Sequence, residues 1–157
     1  MTQREAVMSR IRTELAFLDQ EVADAVEAWN RARLSPEDDS LLLKAAALSL
    51  HSVYSGLERV FEQIARHVDQ QLPDGDSWHR DLLFQMSEAR EGVRPALISV
   101  TEAVKLQPYL GFRHVVRNIY TYNLMPARIE ELIGGLTELW PRLRARLAGF
   151  ADYLDGA

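Results

Sequence analysis

Val7, Ile11, Leu15, Leu18, Val22, Val26 and Trp29 recur at spacings of three and four, the period of a helix with one buried face. Thr2-Gln3-Arg4-Glu5, just ahead of them, has the form of a capping box, in which Thr2 and Glu5 each satisfy an orphan amide. A long first helix is predicted, ending near Arg33. Ser35-Pro36-Glu37-Asp38 restarts the pattern: Ser35 can accept from an orphan amide, Pro36 suits the first helical position, and the acids favour the positive end of the helix dipole. The second helix is predicted from Pro36 to about Gln71. Leu41, Ala45, Leu48, Val53, Tyr54, Leu57, Phe61, Ile64 and Val68 make its stripe, and Gly56 permits a close helix approach or a slight bend.

Leu72-Pro73-Asp74-Gly75-Asp76 gathers turn-forming residues, and Pro73 forbids simple continuation of the helix, so the chain is expected to reverse there. Asp76 or Ser77 is expected to cap a third helix containing Trp78, Leu82, Leu83, Met86 and Val93, stopped or kinked at Arg94-Pro95. Ser99-Val100-Thr101-Glu102 is a second capping box and opens a fourth helix, with a kink or a fresh start expected at Pro108. Asn123-Leu124-Met125-Pro126 separates it from a fifth helix that carries Ile129, Leu132, Ile133, Leu136, Leu139, Leu143, Leu147, Phe150 and Leu154 and is expected to bend at Pro141. No stretch alternates with period two, and no hairpin signal joins β-branched runs. The predicted class is all-α: an antiparallel bundle of about five helices around a four-helix core, with residues 1–157 forming one domain.

Composition narrows the function. A chain of 157 residues, 47% hydrophobic and 26% charged, has the make-up of a soluble globular protein. No apolar run approaches the ~20 residues needed to span a bilayer, and Met1-Thr2-Gln3-Arg4-Glu5-Ala6 lacks the apolar core of a secretory signal. The expected location is the cytoplasm, with no membrane contact. The absence of cysteine removes disulfides, thiol catalysis and cysteine-containing metal sites. A net charge of −5 repels a polyanion at long range, so nucleic acid could be held only by a local basic patch.

One stretch concentrates the chemistry: Gly111-Phe112-Arg113-His114-Val115-Val116-Arg117-Asn118-Ile119-Tyr120-Thr121-Tyr122. On a helical wheel with Arg113 at zero, Arg117 falls near 40°, Tyr120 near −20°, His114 near 100° and Asn118 near 140°, while Phe112, Val115, Val116 and Ile119 lie between about 200° and 300°. The plain reading is a helix with an apolar buried side and a basic outward side. The sharper one is that Arg113 and Arg117 together grip a phosphate, with Tyr120 extending the ridge and His114 moving a proton near neutral pH. In RNA the 2′-hydroxyl is an internal nucleophile, so such a face needs no metal.

Elsewhere the patterns are weaker. His51, His67, His79 and His114 show no ligand spacing with one another or with acids on one predicted face, so no metal and no cofactor is expected. Arg142, Arg144 and Arg146 read as a solvated helix face, and Trp78-His79 as a capped, half-buried turn rather than a ligand pair.

At the central stretch the sequence resembles the HepT-like toxins of the HEPN superfamily of helical ribonucleases. Their signature is an arginine, four to six intervening residues and a histidine, often followed two positions later by a tyrosine. Arg113, Asn118 and Tyr120 reproduce its register, with Asn118 standing where the family has histidine and His114 directly after the arginine. The resemblance extends over about residues 40 to 154, through Tyr54-Ser55-Gly56-Leu57-Glu58-Arg59, Leu72-Pro73-Asp74-Gly75-Asp76-Ser77-Trp78-His79 and Phe112-Arg113-His114-Val115-Val116-Arg117-Asn118. It implies a homodimer with both signature helices facing one cleft, and metal-independent RNA cleavage. It also implies a minimal-nucleotidyltransferase antitoxin that silences the toxin by adding AMP to the tyrosine matched by Tyr120. Two functions remain open. One is an endoribonuclease using Arg113, His114, Arg117 and Asn118; the other is a catalytically inactive helical dimer that holds RNA, a nucleotide or its nucleotidyltransferase partner, since an amide at Asn118 cannot act as a base.

Overall fold

The computed structural model describes residues 2–35, 37, 39–117 and 124–156. Five α-helices follow in order: α1 (Gln3–Leu34), α2 (Asp39–Ile64), α3 (Trp78–Gln85), α4 (Val100–Arg117) and α5 (Pro126–Gly156). Buried side chains from every helix join one apolar cluster. Pairs of contacts give the directions. Arg12 reaches Asp152 and Asp19 reaches Arg144, so α1 and α5 run antiparallel. Glu14 meets Arg59 while Leu18 lies against Gly56, which makes α1 and α2 an antiparallel hairpin, and Glu102 to Arg146 with Tyr109 to Leu132 does the same for α4 and α5. The predicted all-α bundle is the observed one: α1, α2, α4 and α5 form the core and the short α3 packs on α2 and α4.

Local chemistry explains the helix starts. The Thr2 hydroxyl accepts from the Glu5 amide while Glu5 accepts from the Thr2 amide, and Ser99 and Glu102 make the same reciprocal pair at the start of α4. Gly56 permits the close approach of α1: a methyl group there would stand 2.7 Å from Leu18 Cδ2, too near for any real contact.

Several boundaries differ from the expected ones. The second helix does not run unbroken to Gln71; α2 stops at Ile64 and a five-residue π-helical turn, Ala65–Asp69, follows. It ends on Gln70 in the left-handed region (φ 56°, ψ 33°), with the Gln71 amide donating to the Ala65 carbonyl at 2.9 Å. The third helix stops at Gln85, eight residues before Val93, which lies in a turn and is partly exposed. Pro108 neither breaks nor restarts the fourth helix, which is continuous from Val100 to Arg117. A proline inside a helix costs roughly 3 kcal/mol; burial of Leu106, Tyr109 and Phe112 around it, with Tyr109 Oη donating to the Leu132 carbonyl at 2.6 Å, offsets that.

Leu41, Ala45 and Leu48 were expected in the core and are exposed. Leu43, Ala46, Ala47 and Leu50 are buried instead. On a wheel the two sets lie about 180° apart, so the first half of α2 is apolar all round and its neighbours choose the buried side.

Candidate functional site

Arg113 lies in the seam where α2, α3 and α4 meet. From α2 comes Glu58, whose side chain is only 9% exposed. Its Oε1 accepts from Arg113 Nη1 at 3.2 Å, and its Oε2 stands 2.7 Å from Nδ1 of His79, the second residue of α3. Arg113 Nη1 is also 3.1 Å from that same Nδ1. Trp78 stacks on the His79 ring at a centroid distance of 3.5 Å. A buried carboxylate thus gathers a cation and an imidazole, one on each oxygen, which is how a carboxylate becomes affordable in an apolar seam.

Two further α2 side chains face the same seam. Glu58 follows Tyr54 by one turn and His51 by two. The Tyr54 hydroxyl is buried with no hydrogen-bond partner. Burial, with the Glu58 charge in second place and Arg113 opposing, pushes its pKa well above the ordinary phenol range. His51 is held below its ordinary value of 6.5, first by burial and then by the charges of Arg113 and Arg117, with Glu58 opposing. Both arginines are therefore close enough to be felt at one imidazole.

That shift fixes a sign. Below pH 6.5 and above the lowered folded-state value, an unfolded chain binds a proton at His51 that the folded chain does not, so stability rises with pH through this window. The contribution is fully present above 6.5 and is lost as pH falls through the folded-state value. Urea titrations at pH 7 and pH 5 should show a smaller acid loss of stability for His51→Gln than for the unsubstituted chain. Equal losses in the two proteins would remove His51 from the account.

The sequence-nominated residues are distributed unevenly. Arg113 is half-buried, not on an open basic ridge as expected, because Glu58 draws it into the seam. His114 and Arg117 are exposed; Phe112 is buried, and Val115 and Val116 are half-buried. Asn118, Ile119, Tyr120 and Tyr122 lie outside the described residues. Trp78-His79 is half-buried as expected, yet it is part of the cluster. The expectation that no histidine shares a predicted face with an acid neighbour did not reach across helices, where His79 finds Glu58 over 21 positions of chain. One signal was available: Glu58 interrupts the Tyr54, Leu57, Phe61 apolar stripe, and a carboxylate on a core face needs a partner. Among the Arg142, Arg144 and Arg146 set, only Arg142 keeps to the simple solvated reading, for Arg144 pairs with Asp19 and Arg146 with Glu102, each at 3.0 Å.

No helix among the described residues is long and apolar enough to cross a membrane. Neither a curated protein nor a solved structure matches the chain. The sequence model of the family described as HepT-like protein does match, over residues 45–154, which takes in α3, α4, nearly all of α5 and the part of α2 that carries His51, Tyr54 and Glu58. With more than half of its length so matched, from the Glu58 strip to the end of the bundle, this chain belongs to the HepT-like protein family.

Proposed function

We propose that this protein is a metal-independent endoribonuclease of the toxin type. The observation that carries the reading is Arg113, held by a buried carboxylate beside an imidazole on the helix that also bears Arg117. Glu58 engages the Nη1 arm of the guanidinium at Oε1 and Nε is buried, so the Nη2 arm with its two hydrogens is the one left for phosphate. Arg113 and Arg117 then bind phosphate, an imidazole moves the proton of the 2′-hydroxyl, and Asn118 orients substrate. His114 is the sequence-nominated imidazole and is exposed beside Arg113. The reaction belongs in the cytoplasm, where RNA and ATP are present.

The active form in this reading is a homodimer. Leu41 is 71% and Leu48 58% exposed, an apolar strip that a second copy would cover. Purified protein is expected to cut single-stranded RNA in EDTA and leave a 2′,3′-cyclic phosphate; intact RNA after prolonged incubation would end the enzymatic reading. The alternative, a dimer that only holds RNA, nucleotide or a nucleotidyltransferase, is favoured by one feature, the amide at Asn118. Binding without cutting would select it.

Family membership also supports a minimal-nucleotidyltransferase antitoxin that transfers AMP to Tyr120. The added phosphate would meet Arg113 and Arg117 and exclude RNA, two effects of the same sign. Co-expression with such an enzyme followed by peptide mass spectrometry should show AMP on Tyr120 and none on Tyr122. Modification of Tyr122 alone, or of neither tyrosine, rules out this regulation.

A further inference from the structure

We infer that His79, oriented by Glu58, is the base that takes the 2′-hydroxyl proton beside Arg113; the assignment rests on the ribonuclease reading above. A carboxylate carries only lone pairs, so the 2.7 Å approach of Glu58 Oε2 to His79 Nδ1 places the ring hydrogen on Nδ1. The opposite tautomer would set two lone pairs against each other at that distance. Arg113 Nη1, 3.1 Å from Nδ1, is then a second donor converging on the same carboxylate and not a partner of the ring. A neutral His79 consequently has its lone pair on Nε2. That nitrogen has no hydrogen-bond partner among the described residues, and the His79 side chain is 28% exposed.

The ring is held from two further directions. Trp78 stacks on it at 3.5 Å, and the start of α3 is tied down by the Trp78 amide on the Gly75 carbonyl and the Asp81 amide on that of Ser77. A base fixed by a carboxylate at one nitrogen and free at the other, beside a guanidinium, has the parts needed for proton transfer at a phosphodiester. Asn118 carries an amide and cannot take this proton. In the step, His79 Nε2 accepts the proton as the 2′-oxygen bonds to phosphorus. The bond from phosphorus to the 5′-oxygen breaks with its electron pair on that oxygen, which takes a proton from water. The products are a 2′,3′-cyclic phosphate and a 5′-hydroxyl, and His79 returns its proton to the hydroxide left behind. Glu58, which touches no substrate, is a positioning residue: it holds the tautomer and stabilises the imidazolium.

The test compares cutting of a labelled single-stranded RNA in EDTA by the unsubstituted protein, His79→Ala, His79→Gln, Arg113→Ala and Glu58→Gln. His79→Ala and His79→Gln should lose about 10²-fold or more in rate and Glu58→Gln about tenfold. Added imidazole should restore cutting to His79→Ala and not to Arg113→Ala. Nitrogen NMR of the labelled, unsubstituted protein should show the hydrogen of His79 on Nδ1, with that preference lost in Glu58→Gln, a change that mere loss of packing does not produce. If the unsubstituted protein cuts and both His79 variants cut equally well, or if the hydrogen is found on Nε2, this assignment is overturned while the ribonuclease reading stands. If the unsubstituted protein leaves the RNA intact, that reading falls and takes this assignment with it.

Discussion

Arg113→Ala is expected to reduce RNA cleavage by about 10²–10³-fold, the usual cost of removing one preorganised group that stabilises charge developing in a transition state. Two losses combine at this position. The phosphate loses a forked cation that no other side chain replaces, because Arg117 is exposed on the next turn and samples more positions than a guanidinium braced on Glu58. Glu58 also loses the donor on its Oε1, leaving a largely buried carboxylate with His79 alone. Arg113→Lys separates the two effects. An ammonium can still pair with Glu58 but cannot offer a fork to phosphate, so this variant should melt close to the unsubstituted protein and still cut at least tenfold more slowly. Initial rates on a labelled RNA, with thermal melts of each variant, decide the matter. Undiminished cutting by a folded Arg113→Ala would move the active site elsewhere.

Arg94→Ala is expected to cost about 3–5 kcal/mol of stability, the range for breaking a buried ion pair by removing one partner. Arg94 and Asp69 side chains are both fully buried. All five guanidinium donors are used: Nε and one Nη2 donor meet the two Asp69 oxygens at 2.6 and 2.8 Å, and the others reach the carbonyls of Gln85, Glu88 and Pro95. Gln85 Nε2 adds a further donor to Asp69 at 2.8 Å. The clasp therefore ties the π-helical turn to the whole connection between α3 and α4. Replacing both partners by apolar residues, often neutral for a buried pair, should not rescue stability here, since three backbone carbonyls would remain unsatisfied. Against a typical total of 5–15 kcal/mol, the loss should appear as a large fall in the urea midpoint. A midpoint within error of the unsubstituted protein would show that water replaces the clasp.

The same clasp explains why the middle of the chain was the hardest part to read. Arg94-Pro95 looks like a helix stop and the stretch before it like a continuing helix, yet α3 ends at Gln85 because Met86, Leu97 and Ile98 turn back on one another: the Leu97 and Ile98 amides both donate to the Met86 carbonyl. Asp69 is a plain acid in the sequence. Only the π-helical turn, which departs from the α period, aims it at Arg94, and no count of three and four anticipates that departure.

Sequence and structure agree most closely where cause and effect lie within one turn of helix. The capping boxes at Thr2 and Ser99, the apolar stripes of α1 and α5 and the all-α class follow from neighbouring residues and the helical period, and so could be taken from the sequence by itself. The basic stretch around Arg113 was visible for the same reason. Which side of the apolar first half of α2 is buried, and which acid Arg113 and His79 share, was decided only by the tertiary structure. Glu58, His79 and Arg113 stand 21 and 34 positions apart along the chain. Their meeting depends on how three helices pack, and packing is set by the summed burial of the core rather than by any local pattern.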